Sequence, residues 1–338
     1  MRQVWIPRIG GPEVLEVRTA PDPEPGPGEI RIRVVASGVN FADCMARMGL
    51  YPDAPKLPAV VGYEVAGTVD RMGPGVLGID AGARVVALTR FGGYSDMITV
   101  PALQVLPLPA GLSLEKAAAL PVNYLTAWLM LVWSGNVHPG ERVLVHAAAG
   151  GVGQAALQIC RWRGATVIGT ASRSKHERLR AAGVAHCIDY TTQDFEEEVR
   201  KLTDGDGVDV VLDAVGGRSF MKSYRCLGPL GRLFLFGVSS FAPGTTRSIP
   251  SAVKGLLSLP RFKPVSLMND NRGVFGVNVG HLWDRGPLLA KMLADIVRLT
   301  AEGTFDPVVD RTFPFDRAGD AHAYIQGRQN FGKVLLVP

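Results

Sequence analysis

The stretch VLVHAAAGGVGQAALQI, residues 143–159, joins an apolar strand-like run to the apolar spacing of a helix. The junction holds Ala147, Gly150, Gly151, Val152 and Gly153, with the spacing A-x-x-G-x-x-G. Small residues let the backbone turn tightly and approach a pyrophosphate. The following helix presents unpaired N–H groups and the positive end of its dipole to that anion. These residues predict a dinucleotide site; a tight turn without ligand accounts for one glycine more easily than for three.

The end of the next strand chooses between dinucleotides. An acid there would accept from the ribose hydroxyls of NAD. This chain reads VIGTASRSKHERLR (167–180), with no acid before Glu177. Ser172, Arg173 and Lys175 offer a hydroxyl and two cations, which attract a 2′-phosphate that a carboxylate would repel. NADPH is the expected cofactor. The plainer reading is a solvated helix start, but cations at a helix N-terminus oppose its dipole.

Residues 1–137 contain no histidine and one cysteine, Cys44. A catalytic zinc needs three ligands drawn from His, Cys and acids, and a structural cysteine site needs four. The region cannot supply either from N and S ligands, an all-carboxylate site would suit Mg²⁺ or Ca²⁺ better than zinc, and Cys44 reads as a packed thiol.

The elements that must position these residues follow two rhythms. The first third is rich in Gly and Pro, with strand-like runs EIRIRVVASGV (29–39), VVGYEVAGTVDRMG (60–73), ARVVAL (83–88) and YSDMITV (94–100). Beyond about residue 120, strands and helices alternate, which predicts a parallel sheet covered on both faces. VFGVNVG (274–280) reads as a later strand and GPLLAKMLADIVRLTAEG (286–303) as a helix. The tail ends in KVLLV and is expected to rejoin the first domain. The expected division is 1–122 with 304–338 as a β-rich domain and 123–303 as the cofactor domain.

A length of 338 residues agrees with two domains, and 47% hydrophobic with 20% charged residues agrees with a globular protein. The net charge of +5 comes without a dense basic tract, which favours a small anionic ligand over nucleic acid. The apolar stretch 117–133 is interrupted by Pro121, Asn123 and Tyr124 and predicts a buried helix rather than a membrane span. The N-terminus lacks the apolar core of a signal peptide, and four dispersed cysteines suit a reducing cytoplasm.

The motifs GVNFADCMARMGLYP (38–52), LPAVVGYEVAGTV (57–69), LPVNYLTAW (120–128), HAAAGGVGQAALQ (146–158) and DGVDVVLDAVGG (206–217) resemble the medium-chain dehydrogenase/reductase superfamily over nearly the whole chain. Within it they resemble the zinc-free quinone oxidoreductase branch. QNFGKVLLVP and the insertion near 240–270 are similar to the synaptic-vesicle amine-transport-protein homologues and their bacterial relatives. Zinc-dependent relatives carry a Cys at Asn40 and Gly-His-Glu at Gly62, Tyr63 and Glu64.

The resemblance implies an α/β fold, with a Rossmann doubly wound parallel sheet and a β-rich GroES-like catalytic domain. It implies Asn40, Tyr51 and Thr126 near the nicotinamide, Lys175 and Tyr190 at the 2′-phosphate, and Asn330 reaching the cofactor. It also implies a homodimer joined through the strand near 274–279. Plainer roles exist: Asn40 as a helix cap, Tyr51 as a turn residue, Tyr190 as cover for the sheet edge.

Without a Lewis acid the hydride acceptor must already be activated, as a quinone or an α,β-unsaturated carbonyl is. An enoyl-CoA or other enoyl-thioester is the alternative substrate. A non-enzymatic alternative is an NADPH-binding vesicle- or membrane-associated protein with little turnover. The segment 242–269 contains Arg247, Lys254, Arg261 and Lys263 and no acid. It reads as a lid meeting CoA phosphates, a membrane-facing patch or a solvated insertion.

Overall fold

The computed structural model describes residues 1–338. The chain divides into two compact units. The first holds Met1–Leu125, Gly244–Arg247 and Val279–Pro338; the second holds Thr126–Pro243 and Ser248–Asn278.

The first unit is built on a seven-stranded sheet. The strand Glu29–Val39 lies at its centre and pairs antiparallel with Glu64–Met72, Met97–Pro101 and Lys333–Val337. Alternation along these strands drives one face inward, where Ile30, Ile32, Val34, Val65, Val69 and Val85 form one core. A second core gathers Val4, Ile6, Val39, Val61, Phe313 and Phe315. The C-terminal strand Lys333–Val337 sits between Glu29–Val39 and Val309–Pro314.

The structure differs from the expected division at Gly244–Arg247 and from Val279 to residue 303, which includes one long helix. Gly286–Ala301 lies in the first unit, not with the cofactor sheet. It buries Leu289, Met292, Leu293, Ile296 and Val297, and it packs on Ala102–Gln104 and Val105–Pro107. Chain position suggested the other domain; the location of an apolar partner for this stripe decides the matter.

The second unit is a six-stranded parallel sheet. Its spatial order is His186–Asp189, Thr166–Ala171, Arg142–Val145, Val208–Asp213, Leu227–Leu235, Gly273–Gly276. Counted from the first strand of this unit the order is 3-2-1-4-5-6, the Rossmann arrangement. The order reverses at Arg142–Val145, so the loop that follows it opens at the switch point. The last strand spans only Gly273–Gly276, shorter than 274–280, and forms an open edge. No helix of the chain is long and apolar enough to cross a membrane. All four cysteines are free thiols.

Candidate active site

The strand Arg142–Val145 delivers the chain to the glycine loop. Ala147 takes a left-handed conformation (φ 52°), and the Gly150 N–H closes the turn onto the Ala147 carbonyl at 2.8 Å. The loop is tied to the neighbouring strand by the Ala148 N–H, which donates to the Thr170 carbonyl at 3.1 Å. Gly150 then caps the helix Gly151–Arg163 with no side-chain acceptor. The first-turn N–H groups of Gly151, Val152 and Gly153 therefore have no acceptor within the helix or from its cap, and can donate to an anion. A Cβ at Gly153 would stand 2.5 Å from both the Ala147 and Ala148 carbonyl oxygens. Only glycine permits this close approach of helix and loop.

Two neighbouring strands bring the remaining predicted residues to the same edge. Ala171 pairs with Asp189, so Ser172 and Tyr190 each lie one residue beyond the C-terminal end of adjacent strands. Ser172 leads into the short turn Arg173–Lys175, where Arg173 is exposed. Ser172 and Tyr190 thus leave adjacent strands at the same edge of the sheet, the edge on which Thr170 holds the loop.

A buried polar network beneath the loop was missed in the sequence. Ser223 Oγ donates to Asp213 Oδ2 at 2.7 Å and must accept from His146 Nε2, 3.0 Å away. His146 Nδ1 then accepts from Thr170 Oγ1 at 3.1 Å. Asp213 also accepts from the Ser219 hydroxyl and from the Val215 and Gly216 N–H groups. Burial depresses the His146 pKa and keeps the ring neutral, as this tautomer requires. The network joins the C-terminal ends of three strands under Ala147. The available signal was a histidine set directly before the loop in HAAAGG.

In the first unit, Asn40 precedes the helix Phe41–Arg47. Its amide is held at both ends. Lys333 Nζ donates to Asn40 Oδ1 at 2.7 Å, and Asn40 Nδ2 donates to Glu64 Oε1 at 3.0 Å. Lys333 also donates to Glu64 Oε1, and the Val122 N–H donates to Glu64 Oε2 at 2.7 Å. Glu64 is 0% and Lys333 2% exposed, a fully desolvated ion pair. The plain reading of Asn40 as a helix cap is thus incomplete, because its side chain is oriented by charges from two strands. Sequence reading missed Lys333, a lone cation heading the apolar run KVLLV.

Next to this cluster, the Asp43 carboxylate accepts from the Asn40 N–H at 2.8 Å, the Gly62 N–H at 3.2 Å and the Tyr94 hydroxyl at 3.0 Å. Tyr94 in turn lies 3.2 Å from His322 Nε2. Burial pushes the Asp43 carboxyl up to about 7 and holds His322 well below its ordinary value. Tyr51 stands edge-on to Tyr63 with ring centroids 6.3 Å apart, and Tyr63 tilts against Phe91 at 5.2 Å. Burial, with Asp43 and Tyr51 close by, keeps the Tyr63 phenol protonated. This gives an aromatic wall carrying phenols beside a fixed amide.

The remaining predicted residues are placed as follows. Thr126 is buried on the helix Pro121–Trp128, in the second unit. Asn330 lies in the first unit, ahead of the last strand, and its Nδ2 donates to the Gly332 carbonyl at 2.9 Å.

Asp43 makes a pH prediction. Its folded pKa exceeds the unfolded value of 3.8, so its stabilising contribution is complete below pH 3.8 and is lost as pH rises through about 7. Asp43→Asn removes this slope. The stability of the variant relative to wild type should climb between pH 4 and 7 by roughly 3–4 kcal/mol and then level. The depressed histidines give both proteins the opposite slope below pH 6.5 and cancel in the difference. Urea unfolding of both proteins at four pH values checks this; a flat difference would refute it.

Comparison with known proteins fits this architecture. Residues 26–110 match the alcohol dehydrogenase GroES-like domain, and residues 182–336 match the zinc-binding dehydrogenase family. The chain belongs to the medium-chain dehydrogenase/reductase superfamily. It is 42% identical over 325 residues to the human synaptic vesicle membrane protein VAT-1 homolog, covering 96% of this chain and 82% of that protein. It is 37% identical to a 2-haloacrylate reductase from Burkholderia, covering 98% of each. The structure of Escherichia coli quinone oxidoreductase complexed with NADPH superposes with a TM-score of 0.88 at 32% identity, covering 100% of both chains.

The residues present do not suit the zinc of the second family's description. Asn40 offers an amide, and Tyr63 a phenol that burial keeps protonated. The one carboxylate among them, Glu64, is engaged by Lys333, Asn40 and Val122. No three His, Cys, Asp or Glu side chains cluster closely enough to hold a metal ion.

Proposed function

We propose that this chain is an NADPH-dependent, zinc-independent reductase that delivers hydride to a quinone or to the activated C=C bond of an α,β-unsaturated carbonyl. The observation that carries the cofactor reading is the uncapped N-terminus of Gly151–Arg163 beside a strand end offering Ser172, Arg173 and Lys175 and no carboxylate. When bound, NADPH supplies the hydride. The first-turn N–H groups of Gly151, Val152 and Gly153 hold its pyrophosphate. Ser172, Arg173, Lys175 and Tyr190 take the 2′-phosphate, and Asn330 contributes a further cofactor contact.

The chain's own residues then shape the acceptor site. Lys333 and Glu64 lock the Asn40 amide, leaving its second Nδ2 hydrogen to donate to an acceptor oxygen. Tyr51, with Tyr63 behind it, presents a phenol that can supply a proton. Thr126 contributes a hydroxyl on the nicotinamide side. The Burkholderia relative named for 2-haloacrylate supports an activated double bond, and the Escherichia coli structure supports a quinone. We further place the protein in the cytoplasm as a homodimer, with the open edge strand Gly273–Gly276 as the pairing surface.

The test is NADPH oxidation with a small ortho-quinone and a short enoyl-CoA in parallel, with NADH as control. Turnover of the quinone supports the reading; turnover of the thioester alone makes the chain an enoyl-thioester reductase. NADPH binding without turnover of either overturns it. The charge-reversed variant Arg173→Glu/Lys175→Glu should weaken NADPH binding by at least a hundredfold, since each charge-assisted contact contributes about 1.5–3 kcal/mol. NADH binding should change little. Equal loss for both cofactors would remove these cations from the 2′-phosphate site.

A further inference from the structure

The second unit holds a cavity of about 610 Å³ at the end of its sheet away from the glycine loop. Arg142, Gly207, Leu227 and Arg272 line it. Each stands at or directly before the start of a strand: Arg142–Val145, Val208–Asp213, Leu227–Leu235 and Gly273–Gly276. The glycine loop follows the other end of Arg142–Val145. Strands of 4 and 6 residues, as Arg142–Val145 and Val208–Asp213 are, keep their two ends roughly 13–20 Å apart. Dinucleotides sit at the carboxyl ends of such strands, so this cavity lies outside the cofactor site.

The walls carry four guanidinium groups, Arg142, Arg200, Arg225 and Arg272, and three carboxylates, Glu196, Asp206 and Asp209. Two of the carboxylates are already engaged. Arg225 Nε and Nη2 donate to Glu196 Oε1 and Oε2 at 2.6 and 2.7 Å. Asp209 accepts from the Arg142 backbone N–H at 2.7 Å. Three guanidinium groups are left without a hydrogen-bonded acid. Arg142 approaches Asp206 only to 3.7 Å, and Arg200 approaches Glu196 only to 3.8 Å. Arg272 donates from Nη1 to the Tyr224 carbonyl at 3.3 Å, and its Nε is buried with no acceptor. Cations suit a helix C-terminus, which accounts for Arg200 on Phe195–Leu202 and Arg225 on Arg218–Arg225. It does not account for Arg142 and Arg272, which stand where strands begin. Guanidinium groups that line one cavity with unused N–H donors fit the oxygens of a phosphate.

We propose that this cavity is a second anion site, which takes a small phosphate-bearing molecule and holds its phosphate with Arg142, Arg200 and Arg272. The site is independent of the reductase reading. Its volume falls in the range of small-molecule sites, so it has room for more than a lone phosphate ion. The test is calorimetric titration of the full chain, equilibrated with NADPH, with inorganic pyrophosphate and separately with ribose 5-phosphate. Saturable binding of either probe at one site per chain is expected, and it should weaken with salt. Tighter binding of pyrophosphate makes a diphosphate group the recognised feature; tighter binding of ribose 5-phosphate makes it a sugar monoester. Arg142→Gln and Arg200→Glu should each weaken binding by about tenfold or more. Asp206→Asn removes a carboxylate facing Arg142 and should tighten binding several-fold.

Arg200 is exposed, so Arg200→Glu should keep the wild-type melting temperature and NADPH affinity. Three outcomes would overturn the proposal. One is no saturable binding of either probe. Another is binding that Arg142→Gln and Arg200→Glu both leave intact. The third is binding that these two variants keep and Arg173→Glu/Lys175→Glu loses, which would place the anion at the cofactor's strand end. That last variant reports on the cofactor site alone, so failure there and failure of the second anion site are told apart.

Discussion

Lys333→Met is expected to destabilise the first unit by about 3–5 kcal/mol, because it leaves the Glu64 carboxylate buried without its counter-charge. That is a large part of the roughly 5–15 kcal/mol that keeps a domain folded. The ion pair is fully desolvated, and its partners are 269 residues apart in sequence. Glu64→Gln/Lys333→Met removes both charges and should be much less unstable than Lys333→Met alone, a coupling visible in a double-mutant cycle. Denaturant midpoints of the four proteins test this. Additive effects would mean that the pair is not coupled. The same pair orients Asn40, so the double variant, once folded, should still turn over poorly if the fixed amide matters to the reaction. Stability and turnover are thereby separated in one series.

Gly153→Ala is expected to cost both cofactor affinity and stability. The added Cβ meets two backbone carbonyl oxygens at 2.5 Å, and backbone atoms cannot swing aside as the end of a flexible side chain can. Either the helix Gly151–Arg163 or the loop Ala147–Gly150 must move, at a cost of about 1–3 kcal/mol. The moved elements carry the N–H groups proposed to hold the pyrophosphate, so NADPH binding should weaken by about tenfold or more. Gly150→Ala is the control. Its Cβ would lie 3.3 Å from the Ala147 oxygen and its φ of −74° suits any residue, so its melting temperature should stay near wild type. Equal thermal losses in the two variants would show that the close approach at Gly153 is not what demands glycine. NADPH fluorescence titration and thermal unfolding supply both readouts.

Much of the cofactor unit was legible because its signals are local. Period, turn chemistry and the A-x-x-G-x-x-G spacing all lie within about thirty residues of one another. Alternating strands and helices bury their apolar faces as a covered parallel sheet, and right-handed crossovers fix the face on which each connecting helix lies. The absence of an acid after the second strand was likewise a local fact, from Ala171 to Lys175.

What the sequence withheld are relations between distant residues. KVLLV shows a lysine beginning a strand; only the pairing of that strand with Glu29–Val39 sets Lys333 on Glu64 and Asn40. GPLLAKMLADIVRLTAEG announces an amphipathic helix, but not that its apolar stripe finds Leu103 and the strand Val105–Pro107 in the first unit. The helix Ile249–Leu257 has an apolar face in sequence, and only the packing of Gly255 against Phe241 turns that face to solvent. By itself the sequence determined the sheet type and the place of the glycine loop between a strand and a helix, because those rest on backbone geometry and short-range spacing. The tertiary structure decided which charges meet, which histidines stay neutral and which apolar faces remain exposed. Each of those depends on desolvation and on neighbours brought in from far along the chain.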